Sequence, residues 1–133
     1  MADWLHRHEA AHCVAAMVYG ASLRHVYLHE GGGRVDLDLS RLAPTEQATV
    51  YAAGAAVDGG PMRGADLRGF REAIARLPRG DRDEAAALAK WNAFSIADRN
   101  RALIENIATH LALTGRLTGR EIDRLITAAM PHR

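Results

Sequence analysis

The sequence contains one cysteine, one lysine and no long apolar run. Cys13 alone can form neither an internal disulfide nor a cysteine-based zinc site. No stretch reaches the roughly 18 consecutive apolar residues that a membrane-spanning helix needs. The first residues also lack the basic stretch and apolar run of a secretory leader. We therefore expect a cytoplasmic protein with no membrane segment.

Neither acidic nor basic residues are in clear excess, and aromatic residues are few. The 17 basic and 16 acidic residues leave a net charge of +1, and aromatic residues make up 5% of the chain. Lys90 is the only lysine, and no basic stripe is interleaved with aromatic side chains. We therefore expect no nucleic-acid partner. A length of 133 residues, of which 48% are hydrophobic, predicts one domain covering residues 1–133.

Apolar spacing along the chain predicts a mainly α fold with a small β-hairpin, that is, an α+β domain. Alternating side chains predict strands at residues 22–29 and 34–39, joined by a glycine turn. Spacing of three and four residues predicts helices at residues 4–19, 44–57, 65–77, 82–113 and from 118 onwards.

Capping residues mark where several of these helices begin. Asp3 is placed to cap the first helix, and two pairs have the capping-box form, Asp81 with Glu84 and Thr118 with Glu121. Helix 82–113 is predicted to bend near Ser95. Its apolar side is predicted to consist of Leu88, Trp91, Ile96, Leu103, Ile104, Ile107 and Leu111.

The first predicted helix contains the sequence His-Glu-Ala-Ala-His at residues 8–12. His8 and His12 are four residues apart and therefore lie one above the other on the same helix face, where two imidazoles can bind one Zn²⁺. Glu9 lies close enough to accept a proton from a water on that metal. The alternative is a helix with two inward-facing histidines satisfied by hydrogen bonds and a surface glutamate. The motif favours metal-assisted hydrolysis.

A catalytic zinc site needs a third protein ligand, and the sequence offers several. Asp66 stands at the start of a predicted helix, where a carboxylate can be held rigidly and turned inward. Asp58, at the end of helix 44–57, is the competitor and could instead orient a histidine through the other ring nitrogen. His25 and His29 share a strand face and could reach the metal or the substrate.

The order of these features resembles the peptidase domain of the FtsH-type zinc proteases, the M41 family. The resemblance is carried by residues 8–12, by Ala-Gly-Ala-Ala-Val-Asp at 53–58, by Gly-Ala-Asp-Leu at 64–67 and by residues 115–122. It implies a zincin-like helical metallopeptidase domain with an aspartate as third ligand, and Asp66 matches that position. Ala11 stands where the family has glycine.

The resemblance implies a zinc-dependent endopeptidase that hydrolyses peptide bonds in unfolded or extended polypeptides. Glu9 would be the general base on a zinc-bound water, with His8, His12 and Asp66 as metal ligands. The chain has no phosphate-binding Gly-x-x-x-x-Gly-Lys motif. We therefore expect the peptidase to stand alone without the AAA+ ATPase module and to be ATP-independent in itself.

Two further expectations concern what binds the domain. An extended substrate is expected along the hairpin edge, with His25, His29 and Tyr27 as candidate donors to the reacting carbonyl. Since the related domains assemble into rings, a homo-oligomer or a separate partner protein is expected. The alternative function is a non-catalytic, zinc-stabilised binding or adaptor domain, a pseudo-peptidase.

Overall fold

The computed structural model describes residues 3–29 and 32–129, which form six helices and a three-stranded antiparallel sheet. The predicted mainly α class with a small β part is confirmed. The elements in chain order are α1 (Trp4–Val18), β1 (Ser22–His29), β2 (Gly32–Asp38), α2 (Pro44–Asp58), α3 (Gly64–Ala75), α4 (Arg82–Arg99), α5 (Arg101–Thr114), β3 (Arg116–Thr118) and α6 (Gly119–Ala129). In this described part, no helix has the length and apolar character to cross a membrane.

The start of α1 follows from its capping residues, as predicted. The Asp3 carboxylate accepts hydrogen bonds from the backbone N–H of Leu5 and His6, and the Asp3 N–H donates to His6 Nδ1. These bonds satisfy N–H groups that have no partner inside the helix. Gly20, with φ of +75°, follows the helix and lets the chain turn back into β1.

The sheet has the strand order β2-β1-β3, so β2 is at one edge. The predicted hairpin of β1 and β2 is confirmed, with Val26 paired to Val35. The third strand was not predicted, because β3 is three residues long and too short to show an alternating pattern. Thr118 then exchanges hydrogen bonds with Glu121, which confirms that capping box.

The predicted helix 82–113 is wrong as a single element, because α4 ends at Arg99 and α5 begins at Arg101. Asn100 between them leaves the helical conformation, with φ of −113° and ψ of 24°. The capping box at Asp81 and Glu84 is also wrong, since no side chain caps α4. Asp81 lies instead in a short 3₁₀ turn, Arg79–Asp81, that leads into the helix.

The core is built around α1, whose middle residues from Glu9 to Ala16 are all buried. Small side chains there let α2 pack closely, and α5, α6 and the sheet supply the larger apolar residues. A second cluster joins α2, α3 and α4, with Ala89 and Ala93 of α4 buried. Leu88 and Trp91 were predicted on the inner side of α4, but both are exposed. That prediction is wrong because alanines occupy the face that packs on α2.

Candidate metal centre

Two helices bring the three ligand atoms to one point. His8 and His12 extend from the same face of α1, and Asp66 comes from the first turn of α3. The short segment between α2 and α3 turns the chain so that α3 begins beside this face of α1. The structure therefore brings together two histidines close in sequence and an aspartate more than fifty residues downstream.

The three ligand atoms form a nearly equilateral triangle. Asp66 Oδ2 lies 3.0 Å from His8 Nε2 and 3.1 Å from His12 Nε2. The two Nε2 atoms are 3.2 Å apart. An ion just above this triangle would be about 2.0–2.1 Å from all three atoms, which are the distances that Zn²⁺ takes to nitrogen and oxygen ligands. The group could therefore hold a metal ion.

The outer ring nitrogens show which way each imidazole is protonated. His12 Nδ1 lies 2.7 Å from the carbonyl oxygen of Val50, and His8 Nδ1 lies 2.7 Å from Asp58 Oδ2. A carbonyl or a carboxylate oxygen can only accept, so both Nδ1 atoms donate their hydrogen outward. In the neutral rings, each Nε2 then directs a lone pair inward.

Three acceptor atoms thus converge: two imidazole lone pairs and a carboxylate oxygen. Acceptors this close repel one another unless a cation, either a proton or a metal ion, lies between them. The donor set fits Zn²⁺, with three protein ligands and a fourth position left for water or substrate. Two histidines and a carboxylate also suit Fe²⁺, so the donors restrict the metal without naming it.

In the metal-free protein, the pKa shifts of these three side chains also favour a positive charge between them. Burial lowers the pKa of His8, but its hydrogen bonds to Asp66 and Asp58 outweigh burial and raise that pKa to about 9. Burial opposes protonation of His12 as well, yet the hydrogen bond to Asp66 raises its pKa. Burial raises the pKa of Asp66, but the two histidines outweigh it and hold that pKa well below the usual range.

Glu9 lies beside the triangle and takes no place in it. Its Oε1 is 3.8 Å from His8 Nε2, and the side chain is almost fully buried. Burial raises the pKa of its carboxyl, because the charged form loses hydration. Among the described residues, no hydrogen bond ends on this carboxylate. It therefore has free acceptor capacity next to the position of a metal.

Two glycines make room for the site. A Cβ on Gly54 of α2 would lie 2.3–2.6 Å from atoms of the His8 ring. A Cβ on Gly33 of β2 would lie 2.8 Å from Glu9 Cγ. Each contact is closer than real carbon atoms approach, so only glycine lets α2 and β2 pass this close. Neither glycine was predicted to belong to the site, although Gly54 stands in the Ala-Gly-Ala-Ala-Val-Asp segment at residues 53–58.

A cleft runs over the ligand group. Two cavities of about 360 Å³ each share Glu9, Gly33 and Asp66 in their linings. One cavity continues along β2 past its apolar side chains, and the other continues toward Trp4 and Met62. The edge strand of the sheet therefore forms part of the wall of the cleft.

The other candidate residues have different positions. Asp58 lies on the outer nitrogen of His8 and is therefore not among the three converging atoms. His25 stacks on Tyr27 with ring centres 5.5 Å apart, on the sheet face opposite the buried Val26. The structure does not bring His25 or Tyr27 into the lining of the cleft. The side chain of His29 lies outside the described residues.

A scan against models of protein families gave no match for this chain, and a search of curated proteins gave none either. The resemblance to the FtsH-type peptidase domain stays a prediction from the sequence. The function is therefore argued from the chemistry of His8, His12, Asp66 and Glu9.

Proposed function

We propose that this chain is a zinc-dependent endopeptidase of FtsH-like type, ATP-independent in itself, that cleaves unfolded or extended polypeptides. One observation carries the proposal. Three acceptor atoms converge at the spacing of a metal site, with the buried Glu9 carboxylate beside them and a cleft above. His8, His12 and Asp66 are the proposed ligands.

The proposed chemistry gives each residue one task. Bound zinc supplies Lewis acidity, which makes a water more acidic and polarises the scissile carbonyl. Glu9 accepts the proton of the attacking water and later passes it to the leaving amine. Its burial strips water from the carboxylate, so that the ionised form accepts a proton more readily than an exposed glutamate does. Asp58 and the Val50 carbonyl hold the two imidazoles with Nε2 inward.

The shape of the cleft supports an extended substrate. Because β2 is an edge strand and lines the cleft, a peptide lying there can add backbone hydrogen bonds to its outer side. A folded protein would not present a strand at that depth without first unfolding. Val35, Leu37 and Leu39 along this wall favour apolar substrate side chains.

The alternative, a non-catalytic zinc-stabilised binding domain, accounts for the ligands but not for Glu9. A structural metal site is closed by a fourth protein ligand. Here the fourth side is open to the cleft, and a carboxylate is buried there at an energetic cost that metal binding alone does not require. Glu9 therefore favours the enzyme.

The experiment combines metal analysis with turnover of an unfolded protein. The purified chain is expected to contain one zinc per molecule and to degrade casein, and a chelator is expected to stop the reaction. Glu9→Gln should keep the zinc and lose at least about 100-fold in rate. Glu72→Gln, on the exposed side of α3, is the matched control and should keep both.

Three results would contradict the proposal. Casein cleavage by a zinc-loaded Glu9→Gln protein at the unaltered rate would remove the base. Stoichiometric zinc with no turnover of casein or of unstructured peptides would favour the binding domain. Iron as the bound metal would contradict the zinc assignment.

A further inference from the structure

A second pocket, here called the Phe94 pocket, adjoins the cleft over the metal centre. It has a volume of about 620 Å³, which is in the range of pockets that enclose a ligand. Its lining is mostly apolar and includes Ala52, Ala55 and Ala56 of α2, Met62, Leu67 of α3 and Phe94 of α4. In the described chain, Leu67 and Phe94 belong to neither apolar cluster of the core. Their apolar surface is therefore available to a ligand.

Only a low ridge separates the Phe94 pocket from the cleft. Gly60, Pro61 and Met62 line both the pocket and one half of the cleft. Gly60 is exposed, and a Cβ there would meet nothing within 4 Å, so the ridge is open at this residue. Leu67 in the pocket directly follows the proposed ligand Asp66 on α3. Successive helical side chains point about 100° apart, which puts the pocket about 10 Å from the ligand group.

The Phe94 pocket carries one positive charge and no negative charge. Lys90 of α4 is the only charged residue in its lining and the only lysine of the chain. Lys90 Nζ lies 5.7 Å from the centre of the Phe70 ring, and among the described residues it has no carboxylate partner. A ligand carboxylate can therefore pair with Lys90 without displacing another ion pair. The pocket fits a large apolar group with a carboxylate next to it.

We propose that the Phe94 pocket is a second binding site for the polypeptide substrate, in which a large apolar side chain enters the pocket and a neighbouring Asp or Glu pairs with Lys90. The inference rests on the proposed peptidase function, because the cleft is the path by which one extended chain reaches both sites. Such a chain advances about 3.3 Å per residue, so about 10 Å corresponds to about three residues. The recognised pair therefore lies about three residues from the scissile bond.

The two contacts differ in strength. Burying a side chain of the size of Phe in an apolar pocket raises affinity by a factor of about 10 to 100. An exposed ion pair adds only about two- to fivefold. The pocket therefore supplies most of the affinity, and Lys90 selects the charge of the neighbouring residue. Both contacts are remote from the reacting carbonyl, so they should lower KM more than they raise kcat.

Peptides of about 12 residues built on one casein cleavage site test the proposal. They carry Phe-Glu, Phe-Gln or Ser-Gln about three residues from the scissile bond, on either side of it. On one side, the wild-type protein should favour Phe-Glu over Ser-Gln at least about tenfold in kcat/KM, mainly through KM. Phe94→Ser should reduce this preference at least about fivefold. Lys90→Gln should remove the preference of about two- to fivefold for Phe-Glu over Phe-Gln.

Two matched controls lie outside the Phe94 pocket. Leu113 is 76% exposed on α5, and Arg99 is exposed at the end of α4. Leu113→Ser and Arg99→Gln should both keep the wild-type preferences, and circular dichroism melts check that every variant folds. A preference for Phe-Glu below about twofold on both sides of the scissile bond would overturn the proposal. A preference that Phe94→Ser and Lys90→Gln both leave unchanged would also overturn it.

A binding measurement separates failure of the pocket from failure of the proposed function. If none of the peptides is cleaved, the peptidase function fails, and fluorescence anisotropy of labelled peptides on the zinc-loaded protein then tests the pocket alone. Tighter binding of the Phe-Glu peptide that is lost in Phe94→Ser would support the Phe94 pocket as a peptide site. Equal dissociation constants for the Phe-Glu and Ser-Gln peptides would refute it.

Discussion

Replacing Gly54 with alanine should damage the metal site through a single methyl group. The new Cβ would lie 2.3 Å from Cε1 and 2.6 Å from both nitrogens of the His8 ring. Ordinary carbon contacts need about 3.4 Å or more, so the ring must move by roughly 1 Å. That movement shifts Nε2 out of the triangle and lengthens the bond from Nδ1 to Asp58. The substitution by itself should stabilise helix α2, because alanine has a higher helix propensity than glycine.

The expected result is a selective loss of metal affinity. Misplacing a ligand by removing its support typically costs 10- to 100-fold in affinity, about 1.4–2.7 kcal/mol. Competition with a chromophoric chelator measures this, and circular dichroism should show an unchanged helix content. Gly80→Ala is the control, since a Cβ there meets nothing within 4 Å. Zinc affinity of Gly54→Ala within twofold of wild type would refute the close contact between α2 and His8.

Two further predictions concern the ligands and their protons. Asp66→Ala should lower zinc affinity by more than Asp58→Ala does. The first substitution removes a metal ligand, whereas the second removes only the hydrogen-bond partner of His8 Nδ1. The opposite order in the same chelator competition would make Asp58 the ligand. Zinc affinity should also rise by about tenfold per pH unit from pH 6.5 toward 9, since zinc must displace the proton that His8, with a pKa of about 9, holds in the metal-free protein. The raised pKa of His12 acts in the same direction, and an affinity that stays constant from pH 6.5 to 8.5 would contradict both assignments.

Local spacing was enough to place the two histidines together, whereas the choice of Asp66 over Asp58 as their partner rested on the resemblance to the FtsH-type domain. His8 and His12 share a helix face whatever the rest of the fold does. Asp66 and Asp58 were both reasonable from sequence, because each stands at a helix end near the segment that joins α2 to α3. The structure distinguishes them through the position of that segment against α1, which places Asp66 at Nε2 of the His8 ring and Asp58 at Nδ1.

The errors in the predicted fold have a common physical cause. Apolar spacing shows which residues avoid water on average, but not which of two apolar faces packs inward. In α4, the small side chains Ala89 and Ala93 pack on the alanine-rich α2, and two helix backbones can approach closely only where the facing side chains are small. Leu88 and Trp91 therefore point outward, and the sequence pattern alone predicted the reverse.

Because the histidines and Asp66 are far apart in the sequence, a bound ion would also cross-link the chain. A metal held by His8 and Asp66 closes a loop whose ends are 58 residues apart. Closing a loop of that length restricts the unfolded chain by an entropy worth about 4 kcal/mol, much as a covalent bridge would. In a protein whose single thiol has nothing to pair with, the ion would be the cross-link that ties the N-terminal helix to the middle of the chain.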